Sequence, residues 1–578
     1  MSDIQSPAEA ASQRALEAMY ACLKEGKSFR LEAGAGAGKT YSLIKALQLL
    51  IERDKIDLPK RSQQIACITF TNVAKDEISS RTDRSPLIFC ETNHAFCWSL
   101  ISGFQKPLRT LVEGLPAWKE KIDEAGGSLG SRSIEYSLGH RSLREDRALL
   151  HHDDVLPLTI ALMEHEKFRQ VVTDRFPIIL VDEYQDTDRD WVEAIKSRFL
   201  GQPGSPQFGF FGDHWQKIYD GGCGKLEHPD LVEIGVEANF RSVKSVVDCL
   251  NRMRPELRQF VKDPDAVGQV RVFHTNSWTG DRQKGAHWGG DLPTETGKVA
   301  MEKVKAQLAT DGWDLSADHT KILMLTHRLL ASEQGYSRVA ATFRYNEAFT
   351  KKEHPHIAFF VDALEPACDA FASRKFGLMF EALGGEAPQI QSHSDKMAWD
   401  AAMIQLSALR ETGTIGQVVD HLRDLKIPKL PDAVEKRERE LRTFDKEGEV
   451  EFPRALDELE KLRDIPYSEI VALRRYLVGH SPFETKHGVK GAQFENVLVV
   501  VGRGWSKYNF GEMLTLSSAD VIPPAKADMF ERNRNLFYVS CSRPKTRLAL
   551  LFTQQLSPQA LTTLEKWFGT ETLSAITP

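Results

Sequence analysis

Three alternating glycines, Gly34, Gly36 and Gly38, stand directly before Lys39 and Thr40 in the run AGAGAGKT. Glycine accepts the positive φ that lets a loop curl with its N–H groups turned inward, and a helix starting at the end of the loop adds the positive end of its dipole. That combination suits a phosphate chain, with Lys39 reaching the β and γ oxygens and Thr40 holding Mg²⁺. The position where the usual pattern has its first glycine is Ala33, which leaves the cradle-forming glycines in place. A second pair of chemically capable residues, Asp182 and Glu183, closes the apolar run Ile178 to Val181. Beside a bound triphosphate, the first carboxylate can hold Mg²⁺ through water and the second can take a proton from an attacking water. Alone, two acids at a strand end are ordinary. After a phosphate loop they are the expected second half of the site.

The elements that must position these groups are legible in the pattern. Ser28 to Ala33 reads as a strand entering the loop, and Leu43, Leu47, Leu50 and Ile51 mark one face of the helix leaving it. Ile65 to Phe70 and Pro177 to Glu183 are continuous apolar runs, as central strands of a parallel sheet require, and Phe208 to Asp213 is a weaker third. The chain therefore predicts an α/β fold in two units, each interrupted by a mainly helical insertion. Residues 1–100 and 177–225 form the first unit and 101–176 its insertion, which contains the Gly/Ser-rich stretch Gly126 to Ser133. Residues 226–345 and 481–578 form the second unit, with strands at Lys321 to Leu325, Val497 to Val501 and Arg547 to Phe552, and 346–480 its insertion. Thr275 to Gly297 reads as a long glycine-rich loop, and the charged stretch Glu435 to Glu451 as a solvated helix face.

Composition narrows the class without naming it. The 578 residues are 41% hydrophobic and 27% charged, an ordinary globular balance with room for several cores. Lys and Arg number 75 against 81 Asp and Glu, a net charge of −6, which neither advertises nor excludes a nucleic-acid partner, because a groove can be locally basic. No apolar run approaches the roughly 18 residues of a membrane span, so no membrane partner is expected. MSDIQSPAEAASQ lacks the pattern of a secretory signal, and the eight cysteines include no C-x-x-C pair, so a cytoplasmic protein with reduced thiols is expected.

The blocks AGAGAGKT, TFTNVAKDEI, TNH, VDEYQDTD, GDHWQKIY, ANFRS, HGVKGAQF and NLFYVSCSRP occur in the order of the motifs of UvrD/Rep-type superfamily 1 (SF1A) helicases, and the chain resembles that family from Gln13 to Arg543. The resemblance implies two RecA-like P-loop motor domains, with ATP and Mg²⁺ bound between them. It implies that Gln13 reads the adenine edge, that the loop Ala33, Gly34, Ala35, Gly36, Ala37 and Gly38 with Lys39 and Thr40 holds the phosphates, and that Thr40 and Asp182 hold Mg²⁺. Glu183 would activate water, Gln216 sense the γ-phosphate, and Arg241 and Arg543 reach that phosphate from the second motor, as phosphoryl transfer requires of preorganised cations. Tyr41 and Phe240 would lie by the base, and Gln493 near the nucleotide. For nucleic acid the resemblance points to Thr69, Phe70, Thr71, Asn72, Thr92, His94, Tyr219, His487 and Lys490, a track of aromatic faces and backbone-gripping groups indifferent to sequence. Phe70 ends a buried strand, so core and platform remain equal alternatives. His151, His152, Asp153 and Asp154 form a potential metal cluster by composition, but neighbours on a helix point in different directions, and the family's acidic segment explains the block.

Four departures stand out. Asp220-Gly221-Gly222 follows Tyr219 where the family has a stacking Trp-Arg-Gly, Tyr41 replaces an arginine, Gln493 replaces a glutamate, and Pro544 replaces a small residue. None removes a phosphate, metal or water residue. The implied activity is an Mg²⁺-dependent ATPase moving 3′ to 5′ along single-stranded or tailed DNA, with duplex unwinding in doubt because a stacking platform is missing. The alternative is a DNA- and nucleotide-sensing ATPase that regulates a partner nuclease, as in the UvrD-like subunit of Gabija-type anti-phage defence systems. RNA as the track stays open as a third reading.

Overall fold

The computed structural model describes residues 5–578 apart from 137–140, 219–220, 285–288, 317, 326–330, 333, 344–346, 351, 385–389, 446–451, 479–482, 485–492, 504–507 and 520. The apolar runs become buried strands. In chain order these begin with β1 (Phe29–Ala33), β2 (Ile65–Thr69) and β3 (Ile88–Thr92). The short strands β4 (Ser133–Tyr136), β5 (Ser142–Leu143) and β6 (Arg147–Leu150) follow, then β7 (Ile178–Asp182), β8 (Gln207–Gly212) and β9 (Val232–Val236). The first large sheet has the order β3-β2-β7-β8-β1-β9, every pair parallel. Every residue of β1, β2, β7 and β8 is buried, as for strands covered on both faces.

The strand β9 changes the expected boundary at 225/226, because Phe29 pairs with Val232 and Ala33 with Val236 in the first sheet. Exposed Val232 and Glu233 give β9 an edge pattern, so it lacks the apolar run that marks its neighbours. The insertion at 101–176 also differs from a purely helical one. It contains the small sheet β4-β6-β5, and its Leu108, Trp118, Ile134 and Leu158 share one core with Ala66, Ile68, Val181 and Phe208 of the large sheet. Its strands are two to four residues long and partly polar, too short for periodicity to register.

Beyond the first sheet come the pair β10 (Ala238–Asn239) and β11 (Phe260–Val261), then β12 (Gln269–His274) and β13 (Thr320–Met324). The last strands are β14 (Phe483–Glu484), β15 (Phe494–Val501), β16 (Pro544–Phe552) and β17 (Leu573–Ala575). They form a second parallel sheet of order β14-β13-β15-β16-β12-β17, so the chain leaves after β13 and returns at β14. Helices from Ser337–Thr342 to Ser468–Leu477 fill the excursion around their own core, which includes Tyr336, Phe360, Trp399 and Tyr467. Tyr336 and Val339 belong to that core, so this insertion begins before the expected residue 346. Between Thr275 and Pro293 the described residues form no helix or strand, and a helix opens at Thr294. Among the described residues no helix is long and apolar enough to cross a membrane.

Candidate functional site

The phosphate loop joins β1 to the helix Lys39–Asp54. Gly36 and Gly38 sit at φ 75° and 81°, where only glycine rests without strain, and the Ala37 amide donates to the Gly34 carbonyl at 3.1 Å to close the curl. A Cβ on Gly36 would come within 2.8 Å of both Arg241 Cβ and Asn239 Oδ1, so the loop is also a contact surface. The Phe240 amide donates to the Gly36 carbonyl at 2.9 Å, and Asn239 Nδ2 to the Ala35 carbonyl at 3.0 Å. Thr40 stands in the first turn of the helix, half-buried beside Lys39.

Lys39 Nζ lies 2.8 Å from Glu183 Oε2. Burial opposes the charge on Lys39, but Glu183 and Asp182 outweigh it and hold the ammonium pKa above its ordinary value. Asp182 is buried at the end of β7. Glu183 follows at φ 51°, a left-handed conformation that costs a non-glycine residue on the order of 1–3 kcal/mol and typically marks a functional position. Gln185 Nε2 donates to its carboxylate at 2.5 Å. The two acids of the sequence pattern thus meet the lysine of the loop across the sheet.

Gln216 lies on a short turn after β8, where its Nε2 donates to Asp213 Oδ2 at 2.7 Å and its Oε1 accepts from Arg543 at 3.2 Å. Arg543 follows the helix Ala527–Cys541 of the second half and is 1% exposed. Burial, and then the neighbouring Arg241, push its guanidinium pKa down to about 9. Arg241 donates to the Ser542 carbonyl at 2.9 Å, which ties the ANFRS segment to the residue preceding Arg543. Two guanidinium groups crowded beside a phosphate loop are arranged for an anion.

On the base side, Tyr41 and Phe240 are 48% and 40% exposed and both approach Gly38, whose added Cβ would lie 3.7 Å from Tyr41 Cβ and 3.9 Å from Phe240 Cδ2. Gln13 is exposed on the helix Pro7–Glu25 and donates to Glu17 at 2.9 Å. Gln493 is exposed just before β15, where the Phe494 amide donates to the Arg543 carbonyl at 3.1 Å.

The expected nucleic-acid residues fall into three groups. In the first, β2 and β3 run parallel with Thr69 opposite Thr92, which brings Phe70, Thr71, Asn72, Thr92 and His94 to the carboxyl ends of two neighbouring strands. Phe70 is 39% exposed, which favours the platform over the core. His94 stacks on His152 with ring centroids 3.4 Å apart, and burial, then His152, lower its pKa to about 4. In the second group, Thr69 departs from the expected contact role, because it is buried and its hydroxyl donates to the Thr71 carbonyl. It shapes the turn, while Thr71 caps the helix Asn72–Arg81 by accepting from the Ala74 amide. In the third, Tyr219, His487 and Lys490 lie outside the described residues.

The acidic block upstream of β7 opens the helix His152–Met163. Its side chains diverge: Asp154 turns inward to Trp118 Nε1 at 3.1 Å and to Arg141, while Asp153 stays exposed. Among the described residues the group with metal-ligating geometry is instead Glu32, Asp213 and His214. Sequence reasoning assigned no role to Asp213, Asn239, Gln259 or Arg254. Asp213 stands inside a quoted motif, which was a usable signal. Gln259, which donates to the Ala35 and Ala238 carbonyls, and Arg254 lie outside every motif.

Comparison with known proteins agrees with this geometry. The family model described as AAA domain matches residues 16–222. The chain is similar to a Gabija protein GajB of Bacillus cereus (strain HuB5-5), at 21% identity covering 94% of this chain and 96% of that protein. It is similar to the ATP-dependent DNA helicase Rep of Buchnera aphidicola, at 26% identity over 38% of this chain and 40% of the relative. It is also similar to the ATP-dependent DNA helicase PcrA of Staphylococcus aureus (strain Mu50), at 24% over 38% of this chain and 37% of the relative. With two parallel α/β sheets, a phosphate loop on the first and arginines brought to it from the second, the chain has the build of an ATP-hydrolysing helicase and is similar to the UvrD-like superfamily 1 helicases.

Proposed function

We propose that the chain is an Mg²⁺-dependent ATPase that moves 3′ to 5′ along single-stranded DNA in the cytoplasm, its two motor domains closing on ATP and reopening on hydrolysis. The observation that carries this reading is the meeting of Arg543 with Gln216 at 3.2 Å beside the loop that Phe240 grips. Cations supplied from the second half make hydrolysis depend on closure, so chemistry becomes motion. Thr40 and Asp182 fit a magnesium ion as hard oxygen donors, one in the first turn of the helix and one buried at a strand end, and the ion would neutralise phosphate oxygens there. Glu183 takes the proton of the attacking water. Exposed Phe70 stacks a base, and Thr71, Asn72 and Thr92 grip the backbone.

Steady-state ATPase activity of the purified chain, with and without single-stranded DNA, tests this. DNA should stimulate turnover strongly, and Glu183→Gln should lose it while retaining Mg²⁺·ATP binding; wild-type rates in that variant would overturn the assignment.

A second reading is favoured by the similarity to a Gabija protein along 94% of this chain and by Asp220-Gly221-Gly222 after Tyr219. Here the ATPase senses DNA and nucleotide and licenses a partner nuclease in anti-phage defence, with little unwinding of its own. Displacement of streptavidin from the 5′ end of biotinylated single-stranded DNA separates the two: ATP-dependent displacement supports the motor, and DNA-stimulated hydrolysis without displacement supports the sensor.

A further inference from the structure

Arg254 follows the helix Lys244–Met253, whose Val246, Cys249, Leu250 and Met253 pack in the core of the second sheet. Its side chain points the other way, into the first half, and is 1% exposed. There NH1 donates to Asp213 Oδ1 at 2.6 Å and NH2 to Glu32 Oε1 at 3.0 Å, while the guanidinium lies 5.4 Å from the Trp215 ring centroid. Glu32 and Asp213, the carboxylates of the group with metal-ligating geometry, are gathered around this side chain, so the cation of that group is the guanidinium itself. Burial disfavours the charged Glu32, but His214, Tyr184 and Arg254 outweigh it and hold its carboxyl well below the usual range. Burial likewise opposes the charge on Arg254, and Asp213, Tyr538 and Glu32 outweigh it to raise its pKa.

The contact continues to the chemistry. Asp213 offers Oδ1 to Arg254 and Oδ2 to Gln216, and Gln216 accepts from Arg543. Glu32 precedes the phosphate loop by one residue, so the fork of Arg254 joins the strand that enters the loop to the turn that carries Gln216. From this chain of contacts we infer that Arg254 is a positioning residue of the ATPase: carried by the second half of the chain, it fixes Gln216 through Asp213. A planar fork suits the task because it holds two carboxylates in one fixed geometry, and its removal leaves both buried without their shared cation. The inference rests on the proposed ATPase and on Gln216 acting at the γ-phosphate, the role that the family resemblance implies for it.

The test compares Arg254→Met, Gln216→Ala and the double variant of the full chain in DNA-stimulated ATPase assays, with thermal unfolding to verify folding. Arg254→Met should lower kcat by about a hundredfold, the scale of a misplaced catalytic group, and leave KM for ATP within about twofold. The double variant should fall no further than Gln216→Ala alone, because both act through one group. Multiplying effects, or a change confined to KM, would overturn the inference. If Arg254→Met does not fold, Arg254→Lys replaces it: a lysine keeps the charge but loses the fork, so kcat should still fall, and wild-type turnover would refute the positioning role. Gln216→Ala with unchanged kcat would overturn the site reading itself, whereas a slow Gln216→Ala beside a fast Arg254→Met would overturn only the role of Arg254.

Discussion

Arg241 and Arg543 show how a side chain can be costly to the empty protein and useful to the loaded one. Burial, and then the charge of Arg241, hold the Arg543 guanidinium down at about 9, so on the proposed reading a γ-phosphate between them would relieve a repulsion. Truncating either arginine removes part of that repulsion along with the attraction, and ground-state binding should change little. The transition state, where charge builds on the transferred group, keeps the full loss. Arg543→Ala should therefore lower kcat by about 10³-fold with nearly unaltered nucleotide affinity, read by comparing turnover with binding of a non-hydrolysed ATP analogue. Lys39 follows a related logic on the proposed reading: its 2.8 Å pairing with Glu183 would yield to phosphate and leave the carboxylate to water.

At the scale of elements, the helix His152–Met163 is anchored by one inward carboxylate. Asp154 accepts from Trp118 Nε1, from the Arg141 fork and from the His151 amide, and is 3% exposed. Asp154→Ala should destabilise the protein by about 2 kcal/mol, because it strands the buried Trp118 donor and leaves the half-buried His151 amide and Arg141 without their acceptor, and denaturant unfolding measures it. Asp153→Ala, on the exposed side of the same turn, should be nearly neutral. The block His151 to Asp154 was visible in the sequence as an acidic segment, but which carboxylate turns inward was not, since Trp118 and Arg141 reach it from separate elements. The same division runs through the fold. The central strands β1, β2 and β7 were legible because burial on both faces writes an unbroken apolar run, and the phosphate loop because glycine spacing encodes backbone geometry. The edge strand β9 and the small sheet of β4, β5 and β6 were not, since half-exposed short strands leave no period to read. Arg254 was invisible for a related reason: its meaning lies in carboxylates 41 and 222 residues away in the chain.

For the whole molecule, the two sheets are joined by chemistry as well as by chain. Asn239, Phe240 and Gln259 hold the phosphate loop, Asn535 of the helix Ala527–Cys541 donates to the His214 carbonyl, and Arg254 crosses between the halves. A ligand seated among these contacts should stabilise both halves together. In Glu183→Gln, Mg²⁺·ATP at a hundred times its dissociation constant should add about 2.7 kcal/mol and raise a single unfolding transition. Two transitions of which one moves would mean that the halves respond separately to the nucleotide.

Trp215 and Ile218, carried by the turn after β8, are packed inside the core of the second sheet, with Tyr538 edge-on to Trp215 at 5.3 Å and Arg534 at 4.0 Å over its ring. Each half is therefore an incomplete object, a plug on one side and a socket on the other. A chimera grafting the first half of this chain onto the second half of a distant relative would have to carry the matching socket with it. Substitutions along that seam act on both halves at once, so a change on the plug should couple energetically to one in the socket.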